Sequence, residues 1–378
     1  MESRAWIDVD LDAVRHNFDT IRRLAGPERA VIAVVKADGY GLGAERVVRA
    51  LEPLAPWGYG VAAAAEGTAL RAAGIRRPIL LTAPAPPQCI DEAAAARLTL
   101  SISDVHTLDR WARAAERLGE PLDFHVEIDT GMGRAGFDWR TTAEWGPKVR
   151  ARCGERVRWT GVFTHFHDAD AAAAAPAATQ WERFSDAVAQ LPVSREDLFV
   201  HVANSAGVRW SRYHADGVRP GLYLYGAHPL AGTGAEAELP APRPVASIRA
   251  RVALVREVPP GTTVGYGATH QAVGWERWAT LAIGYGDGLP RRLGNKAFAL
   301  LQGRRVPVVG RISMDMTVVD VTAIPTVREG DVATLLGRDG DAEIRIEELA
   351  AQAETIPYEI LTGLTPRLPR VERHGHGG

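Results

Sequence analysis

The sequence predicts an α/β fold, namely a (β/α)8 barrel of the TIM type followed by a mostly β C-terminal domain. Two observations predict it. In the first part of the chain, eight short apolar runs alternate with helical stretches, which suits a closed barrel better than an open sheet. After about residue 235, the pattern changes to short alternating segments bounded by Gly, Pro or Asp, which is typical of β structure. We therefore place the barrel at residues 10–235 and the β domain at 236–378, and we expect residues 1–9 to join the β domain.

The barrel half opens with a helix. Asp10 can cap its first turn, and Leu11, Val14 and Phe18 then recur at helical spacing until Gly26 stops the helix. The eight predicted strands follow at residues 31–35, 58–62, 78–82, 98–102, 122–128, 157–163, 198–202 and in a short run ending near Arg219. The predicted helices between them lie at residues 43–52, 65–73, 86–96, 104–118, 141–151, 178–190 and 204–211. We interpret the Ala-rich tract 169–178 as a surface loop.

The β half follows a stiff connector that contains Pro240, Pro242 and Pro244. Its predicted strands lie at residues 247–257, 279–283, 297–301, 306–309, 317–321 and 331–336. One short helix is predicted at residues 347–354, and the tail 372–378 is predicted to be disordered.

Composition excludes several classes of function. The 378 residues are 46% hydrophobic and 24% charged, and their net charge of -2 predicts neither a nucleic-acid partner nor an anionic membrane partner. Two cysteines, Cys89 and Cys153, cannot form a disulfide framework and lack metal-site spacing. Because the first residues lack an apolar signal core and no apolar run is long enough to span a bilayer, we expect a cytoplasmic protein.

Lys36 is the first candidate for chemistry. It ends the apolar run Val31–Val35, which reads as a buried parallel strand. A poorly hydrated lysine favours its neutral amine, which is nucleophilic and can form an imine with an aldehyde. The alternative is a lysine whose ammonium group simply reaches solvent from the strand end. Asp38, Gly39 and Gly41 then predict a tight turn.

Further polar residues follow the later strands, where a barrel of this type places its chemistry. They are Arg134, His165, Asn204, Ser205, Arg219, Gly221 and Leu222. Ser205, with free N–H groups at Gly221 and Leu222, predicts a phosphate cradle. A lysine that can form an imine matches the aldehyde end of pyridoxal 5′-phosphate, and a phosphate cradle matches its other end. Taken singly, each residue could equally be a turn glycine, a capping serine or a surface arginine.

Eight motifs in one order resemble those of the alanine racemase family, and the resemblance runs from near Trp6 to Pro369. They are Val34-Val-Lys-Ala-Asp-Gly-Tyr-Gly, Asp129-Thr-Gly-Met-Gly-Arg, Ala203-Asn-Ser-Ala, Val218-Arg-Pro-Gly, Val264-Gly-Tyr-Gly-Ala, Gly284-Tyr-Gly-Asp-Gly-Leu-Pro-Arg-Arg, Gly310-Arg-Ile-Ser-Met-Asp and Thr355-Ile-Pro-Tyr-Glu. The resemblance implies a homodimer that racemises L- and D-alanine with pyridoxal phosphate on Lys36.

Residue roles are implied by the same resemblance. Lys36 and Tyr266 match the two opposed acid/bases, with Tyr266 donated by the partner subunit. The positions that match cofactor contacts are Tyr40, His165, Asn204, Ser205, Arg219, Gly221, Leu222 and Tyr358. The positions that match the substrate side are Arg134, Met314 and Asp315, of which the last two would again come from the other subunit.

Glu127 departs from the family pattern, because members commonly carry a lysine there that is often carbamylated. A carboxylate is already an anion, so we predict that Glu127 forms a bidentate pair with Arg134. The alternative is that Glu127 points outward. Smaller departures from the family pattern occur at Leu42, Gly286 and His270. They leave the implied reaction type unchanged but leave open which amino acid is the substrate.

Other functions compete with this one. His165 and His167 alternate in a way that could share a metal, which suggests a metal-dependent hydrolase, although no further ligands are evident. A non-catalytic pyridoxal-phosphate carrier usually lacks a β domain. A decarboxylase of basic amino acids would use an acid where Arg219 stands. The nearest alternative is a racemase for another small amino acid such as serine.

Overall fold

The computed structural model describes residues 3–373, so residues 374–378 of the tail predicted to be disordered lie outside the described residues. The strands are β1 (Ala5–Asp10), β2 (Ala30–Val34), β3 (Gly58–Val61), β4 (Ile79–Leu81), β5 (Thr99–Ile102), β6 (Leu122–Asp129), β7 (Phe137–Asp138), β8 (Val157–Phe163), β9 (Phe199–Asn204), β10 (Gly217–Arg219), β11 (Ala246–Val258), β12 (Thr263–Val264), β13 (His270–Gln271), β14 (Glu276–Leu281), β15 (Phe298–Leu301), β16 (Arg304–Pro307), β17 (Thr317–Asp320), β18 (Val332–Asp339), β19 (Ala342–Ile344) and β20 (Arg370–Arg373). The helices are α1 (Leu11–Ala25), α2 (Lys36–Tyr40), α3 (Ala44–Leu51), α4 (Ala64–Ala72), α5 (Ile90–Ala95), α6 (Val105–Leu118), α7 (Thr142–Arg150), α8 (Ala175–Ala189), α9 (Ile346–Gln352) and α10 (Pro357–Thr362).

Eight parallel strands form the predicted barrel. Around it the order is β5-β4-β3-β2-β10-β9-β8-β6, and β5 pairs with β6 to close the ring. Their side chains are mostly buried, as expected for parallel strands covered on both faces. All eight strands lie where the sequence predicts them, so the barrel prediction is confirmed.

The β domain is a nine-stranded sheet whose main path runs β16-β15-β18-β11-β1-β20. The strand β1 precedes the whole barrel in sequence, yet it pairs antiparallel with β11 and parallel with β20. The two ends of the described chain therefore lie side by side in this sheet. Arg370–Arg373 forms its last strand, so the expected disorder is wrong at residues 372 and 373.

The first helix shows how local sequence sets an element. Asp10 Oδ1 accepts a hydrogen bond from the Ala13 N–H at 2.9 Å, which confirms the predicted cap. Leu11, Val14 and Phe18 are buried on one face, and Gly26 ends the helix at a φ of 95°.

Three local predictions are wrong. The stretch predicted to be helical at 204–211 forms the end of β9 and two short 3-10 turns, Gly207–Arg209 and Ser211–Tyr213. The tract 169–178 is a loop only until Ala175, where α8 begins with Pro176 in its first turn, a position that needs no N–H partner. Helix α10, which follows the predicted C-terminal helix, was not expected. Among residues 3–373, every helix is too short or too polar to cross a bilayer.

Candidate active site

A cavity of about 270 Å³ lies at the carboxyl ends of the barrel strands. Its lining includes every barrel residue predicted for the site, together with Tyr358 from α10; these are Lys36, Tyr40, Arg134, His165, Asn204, Ser205, Arg219, Gly221, Leu222 and Tyr358. Glu127 lines it too. Residues from five barrel strands and one distant helix thus converge on one space, which we call the barrel cavity.

Lys36 is half-buried at one side of the barrel cavity. Burial lowers the pKa of its amine, the Arg134 and Arg219 guanidinium groups lower it further, and the Glu66 carboxylate opposes them. A lysine with a depressed pKa carries more of the nucleophilic neutral form near neutral pH.

The backbone after Lys36 is left-handed, which the predicted tight turn did not anticipate. Ala37, Asp38, Gly39 and Tyr40 have φ values of 53°, 52°, 61° and 56°. Such a conformation costs roughly 1–2 kcal/mol per non-glycine residue, because Cβ approaches the following carbonyl oxygen. The turn directs Lys36 and Tyr40 toward the same cavity.

Two carboxylates hold this left-handed turn. Glu66 Oε1 accepts from the Ala37 N–H at 2.6 Å, and its other oxygen accepts from Ala62 and Ala63 at 2.8 and 3.1 Å. Asp38 Oδ1 accepts from the Ala44 N–H at 2.9 Å. Glu66 is not among the predicted site residues, although its place in the first turn of α4 marks it as a helix-capping acid.

Arg219 is 5% exposed, and protein acceptors take four of its five N–H donors. Nη1 donates to His201 Nδ1 and to the His201 carbonyl oxygen, each at 2.7 Å. Nη2 donates to the Thr164 carbonyl oxygen at 2.8 Å and to His165 Nδ1 at 3.3 Å. Within residues 3–373 no acceptor bonds Nε, so the guanidinium presents one N–H to the barrel cavity.

Arg219 is charged and His165 is neutral at neutral pH, as their pKa values show. Burial lowers the pKa of Arg219 to about 10, so the guanidinium stays charged at neutral pH. Burial and the nearby Arg219, Arg134 and Lys36 cations lower the pKa of His165 to about 3, so its imidazole stays neutral. Because Arg219 can only donate, His165 Nδ1 is an acceptor and Nε2 carries the proton.

A hydroxyl cradle lies at the other side of the barrel cavity. Ser205 Oγ accepts from the Gly221 N–H at 2.9 Å and from the Tyr223 N–H at 3.3 Å. The prediction of a free N–H at Gly221 is therefore wrong, because Ser205 folds back onto it. The Ser205 hydroxyl hydrogen remains to donate, and a Cβ at Gly221 would collide with the Tyr40 hydroxyl. Two hydroxyl donors above a glycine fit a phosphate group.

Glu127 does not form the predicted bidentate pair. No ion pair within 4.0 Å joins it to Arg134, although both residues lie in the described part of the chain. The carboxylate is 4% exposed and accepts a hydrogen bond from Ser103 Oγ at 3.4 Å, so it does not point outward either. Arg134 is exposed on a loop in which Asp129 Oδ1 accepts hydrogen bonds from the Gly131 and Gly133 N–H groups.

Tyr266, Met314 and Asp315 are not among the residues that line the barrel cavity of the single chain. Tyr266 lies between β12 and β13 and is 66% exposed, and Met314 is 51% exposed. Asp315 is bonded to Arg367 at 2.5 Å. All three belong to loops of the β domain.

A metal centre finds no support at His165 and His167. Residues 3–373 contain no group of three or more His, Cys, Asp or Glu side chains that could hold a metal ion. The His167 backbone N–H bonds Gln180, and its ring is exposed in the loop after β8.

The fold and the site together define a (β/α)8 barrel protein with a β domain, in which Lys36 follows the first barrel strand and lines the barrel cavity. The chain belongs to the alanine racemase family. The family's N-terminal domain model matches residues 9–229, and its C-terminal domain model matches residues 245–372. The alanine racemase of Synechocystis is 38% identical over 377 residues, with 98% of this chain and 99% of that protein covered.

Solved structures of alanine racemases have the same fold as this chain. The alanine racemase from D-cycloserine-producing Streptomyces lavendulae superposes with a TM-score of 0.92 at 35% identity, covering 100% of this chain and 98% of that one. The alanine racemase of Bartonella henselae, solved with covalently bound pyridoxal phosphate, has a TM-score of 0.88 at 28% identity, covering 98% of this chain and 100% of that one.

Proposed function

We propose that this protein interconverts L- and D-alanine with pyridoxal 5′-phosphate, using Lys36 and Tyr266 as opposed acid/bases. The observation that carries the proposal is the barrel cavity itself. It combines a lysine with a depressed pKa, a hydroxyl cradle and a single inward N–H of Arg219. Membership of the alanine racemase family and the Bartonella henselae relative with covalently bound cofactor support it.

The donor set fits the cofactor at both ends. The hydroxyl groups of Tyr40, Ser205 and Tyr358 and the N–H of Leu222 would hold its phosphate, with Asn204 beside them. Gly221, whose N–H already bonds Ser205, would leave room for the phosphate because it has no side chain. The Nε–H of Arg219 would bond the ring nitrogen. Because an arginine does not readily release its proton, that nitrogen would stay unprotonated. The neutral imidazole of His165 would keep the guanidinium oriented.

The remaining residues handle the substrate. The bound cofactor supplies an electron sink that makes the hydrogen on Cα acidic. The Lys36 amine would take or return that proton on one face, and the Tyr266 phenol would do so on the other, with roles exchanged for the opposite enantiomer. Arg134 would bind the substrate carboxylate, and Met314 and Asp315 would border the substrate.

The assembly that this requires is a homodimer with shared sites, because Tyr266 and Met314 are exposed and lie outside the barrel cavity of their own chain. The barrel would comprise residues 10–235 and the β domain residues 236–378, with residues 1–9 in the β domain. The pairing of β1 with β11 supports this division. Free Cys89 and Cys153 support a cytoplasmic location. Membership of the alanine racemase family supports a role in supplying D-alanine for cell walls.

Borohydride reduction tests the proposal directly. The chain contains only three lysines, Lys36, Lys148 and Lys296, so peptide mass mapping gives an unambiguous answer. We expect a reduced pyridoxyl adduct on the Lys36 peptide alone and the formation of D-alanine from L-alanine but not of D-serine from L-serine at a comparable rate. An adduct on another lysine, or none, would refute the proposal.

A further inference from the structure

Two histidines lie beneath Arg219 in the barrel interior, and neither lines the barrel cavity. His201 lies on β9 and is 0% exposed, and His125 lies on β6 and is 1% exposed. The interior of such a barrel is usually filled by branched apolar side chains. Polar groups placed there need hydrogen-bond partners, since burial without them is costly.

The two imidazoles form one chain of hydrogen bonds with Arg219. Arg219 Nη1 lies 2.7 Å from His201 Nδ1, and His201 Nε2 lies 2.8 Å from His125 Nδ1. The chain therefore runs from the floor of the barrel cavity into the closed core.

Arg219 determines which ring nitrogen of each histidine carries the proton. A guanidinium can only donate, so His201 Nδ1 must be an acceptor and its proton must sit on Nε2. That N–H donates to His125 Nδ1, so His125 also carries its proton on Nε2. Burial, followed by the charge of Arg219, lowers the pKa of His125 to about 3 and that of His201 well below its usual value, so both rings stay neutral.

The packing holds both rings in place. Phe163 stacks on His201, with ring centroids 4.9 Å apart and planes 12° apart. The backbone of Gly161 lies against His125 so closely that a Cβ there would come within 2.6 Å of the imidazole. The His125 ring therefore has little freedom to turn away from His201.

We propose that His125 is a positioning residue that fixes the tautomer of His201 and, through it, the orientation in which Arg219 presents its Nε–H to the ring nitrogen of the cofactor. This inference rests on the proposed function. Without an acceptor at His125, the Nε2–H of His201 would be buried and unpaired. Moving that proton to Nδ1 would place an N–H against the N–H of Arg219, and the guanidinium would turn.

Matched variants distinguish a positioning role of His125 from a role in packing alone. His125→Phe keeps a planar ring but removes the acceptor, whereas His125→Asn places an amide oxygen near the position of Nδ1. His214→Phe is the control, because His214 is a buried barrel-side histidine whose hydrogen-bond partners within residues 3–373 are the backbone carbonyls of Ala25 and Val208.

The readouts are the dissociation constant for pyridoxal phosphate, the visible absorption spectrum of the bound cofactor and the thermal midpoint. We expect His125→Phe to weaken cofactor binding at least about tenfold and to change the spectrum, since a buried donor loses its partner. His125→Asn should restore much of the cofactor affinity and much of the wild-type spectrum. His214→Phe should lower the thermal midpoint only. If His125→Phe behaves like His214→Phe, the inference fails.

Nitrogen-15 NMR of the wild-type imidazoles gives a test that needs no variant. Both His125 and His201 must show a protonated Nε2 and an unprotonated Nδ1, and any other tautomer overturns the inference. A wild-type protein that binds no pyridoxal phosphate would instead refute the proposed function, so the two failures are distinguishable.

Discussion

The hydroxyl of Tyr40 lies against Gly221, in the space that a Cβ on residue 221 would have to occupy. Tyr40 cannot easily retreat, because its ring stacks on Tyr225 with centroids 4.4 Å apart. Two distant parts of the chain therefore define the width of the proposed phosphate cradle.

Gly221→Ala should narrow that cradle. The added methyl group would displace the Tyr40 hydroxyl, and we expect the dissociation constant for pyridoxal phosphate to rise at least about tenfold. Gly154→Ala is the control, since a Cβ there would meet nothing within 4 Å. Equal cofactor affinity in both variants would contradict the role given to this contact.

Glu66→Ala should release the left-handed turn after Lys36. Three backbone N–H groups would lose a charged acceptor, and we expect the free energy of unfolding to fall by about 3 kcal/mol, with weaker cofactor binding. Glu92→Ala removes an exposed acid from the first turn of α5 and should change stability by less than about 0.5 kcal/mol. Denaturant midpoints compare the two, and similar losses would show that Glu66 has no special role.

Tyr266→Phe should affect the two enantiomers unequally. Only one face of Cα would lose its acid/base, so deuterium exchange at Cα in heavy water should slow far more for one enantiomer of alanine than for the other. Tyr223→Phe removes a hydroxyl that bonds the Pro240 carbonyl oxygen and should leave the two exchange rates in their wild-type ratio. Equal slowing for both enantiomers would argue against two opposed bases.

Mixing two inactive variants tests the shared site. In a mixed dimer of Lys36→Ala and Tyr266→Phe, one site carries both defects and the other carries neither. Random reassociation of equal amounts should therefore restore about a quarter of wild-type activity. No recovery, with mixed dimers shown to be present by mass spectrometry, would place Lys36 and Tyr266 of one site on the same chain.

Acid should destabilise the fold through its buried histidines. Burial is the first cause that lowers the pKa of both His125 and His165 to about 3, so between pH 6.5 and 3 the unfolded chain binds protons that the folded chain does not. The free energy of unfolding then falls as pH falls, because the unfolded chain binds roughly one more proton per histidine than the folded chain does. At fixed protein concentration, denaturant midpoints near pH 5 and pH 7 should differ less for His125→Phe than for wild type; an equal difference would contradict a neutral His125.

The barrel and most of its cavity could be predicted from the sequence because both follow from local patterns. Continuous apolar runs mark parallel strands, and polar residues such as Lys36 and Arg219 follow directly after them. Once the strands close into a ring, their carboxyl ends must meet, so the convergence of these residues needed no knowledge of long-range contacts.

The rest depends on contacts between distant segments. The left-handed turn is stabilised by Glu66 on another helix, and nothing in Ala37-Asp38-Gly39 distinguishes it from an ordinary tight turn. The predicted pair of Glu127 with Arg134 is wrong because it was inferred from charge alone, whereas the loop after β6, which bonds Asp129, sets the position of Arg134. His125 looks like any polar residue in a strand until its neighbour His201 is known.

The adjacency of β1 and β20 has a consequence for biosynthesis. Strand β1 precedes the barrel in sequence, but both of its partners, β11 and β20, follow the barrel. The nine-stranded sheet can therefore be completed only after translation of the barrel has finished. A nascent chain stalled before residue 246 would hold all eight barrel strands but would leave β1 without either of its strand partners.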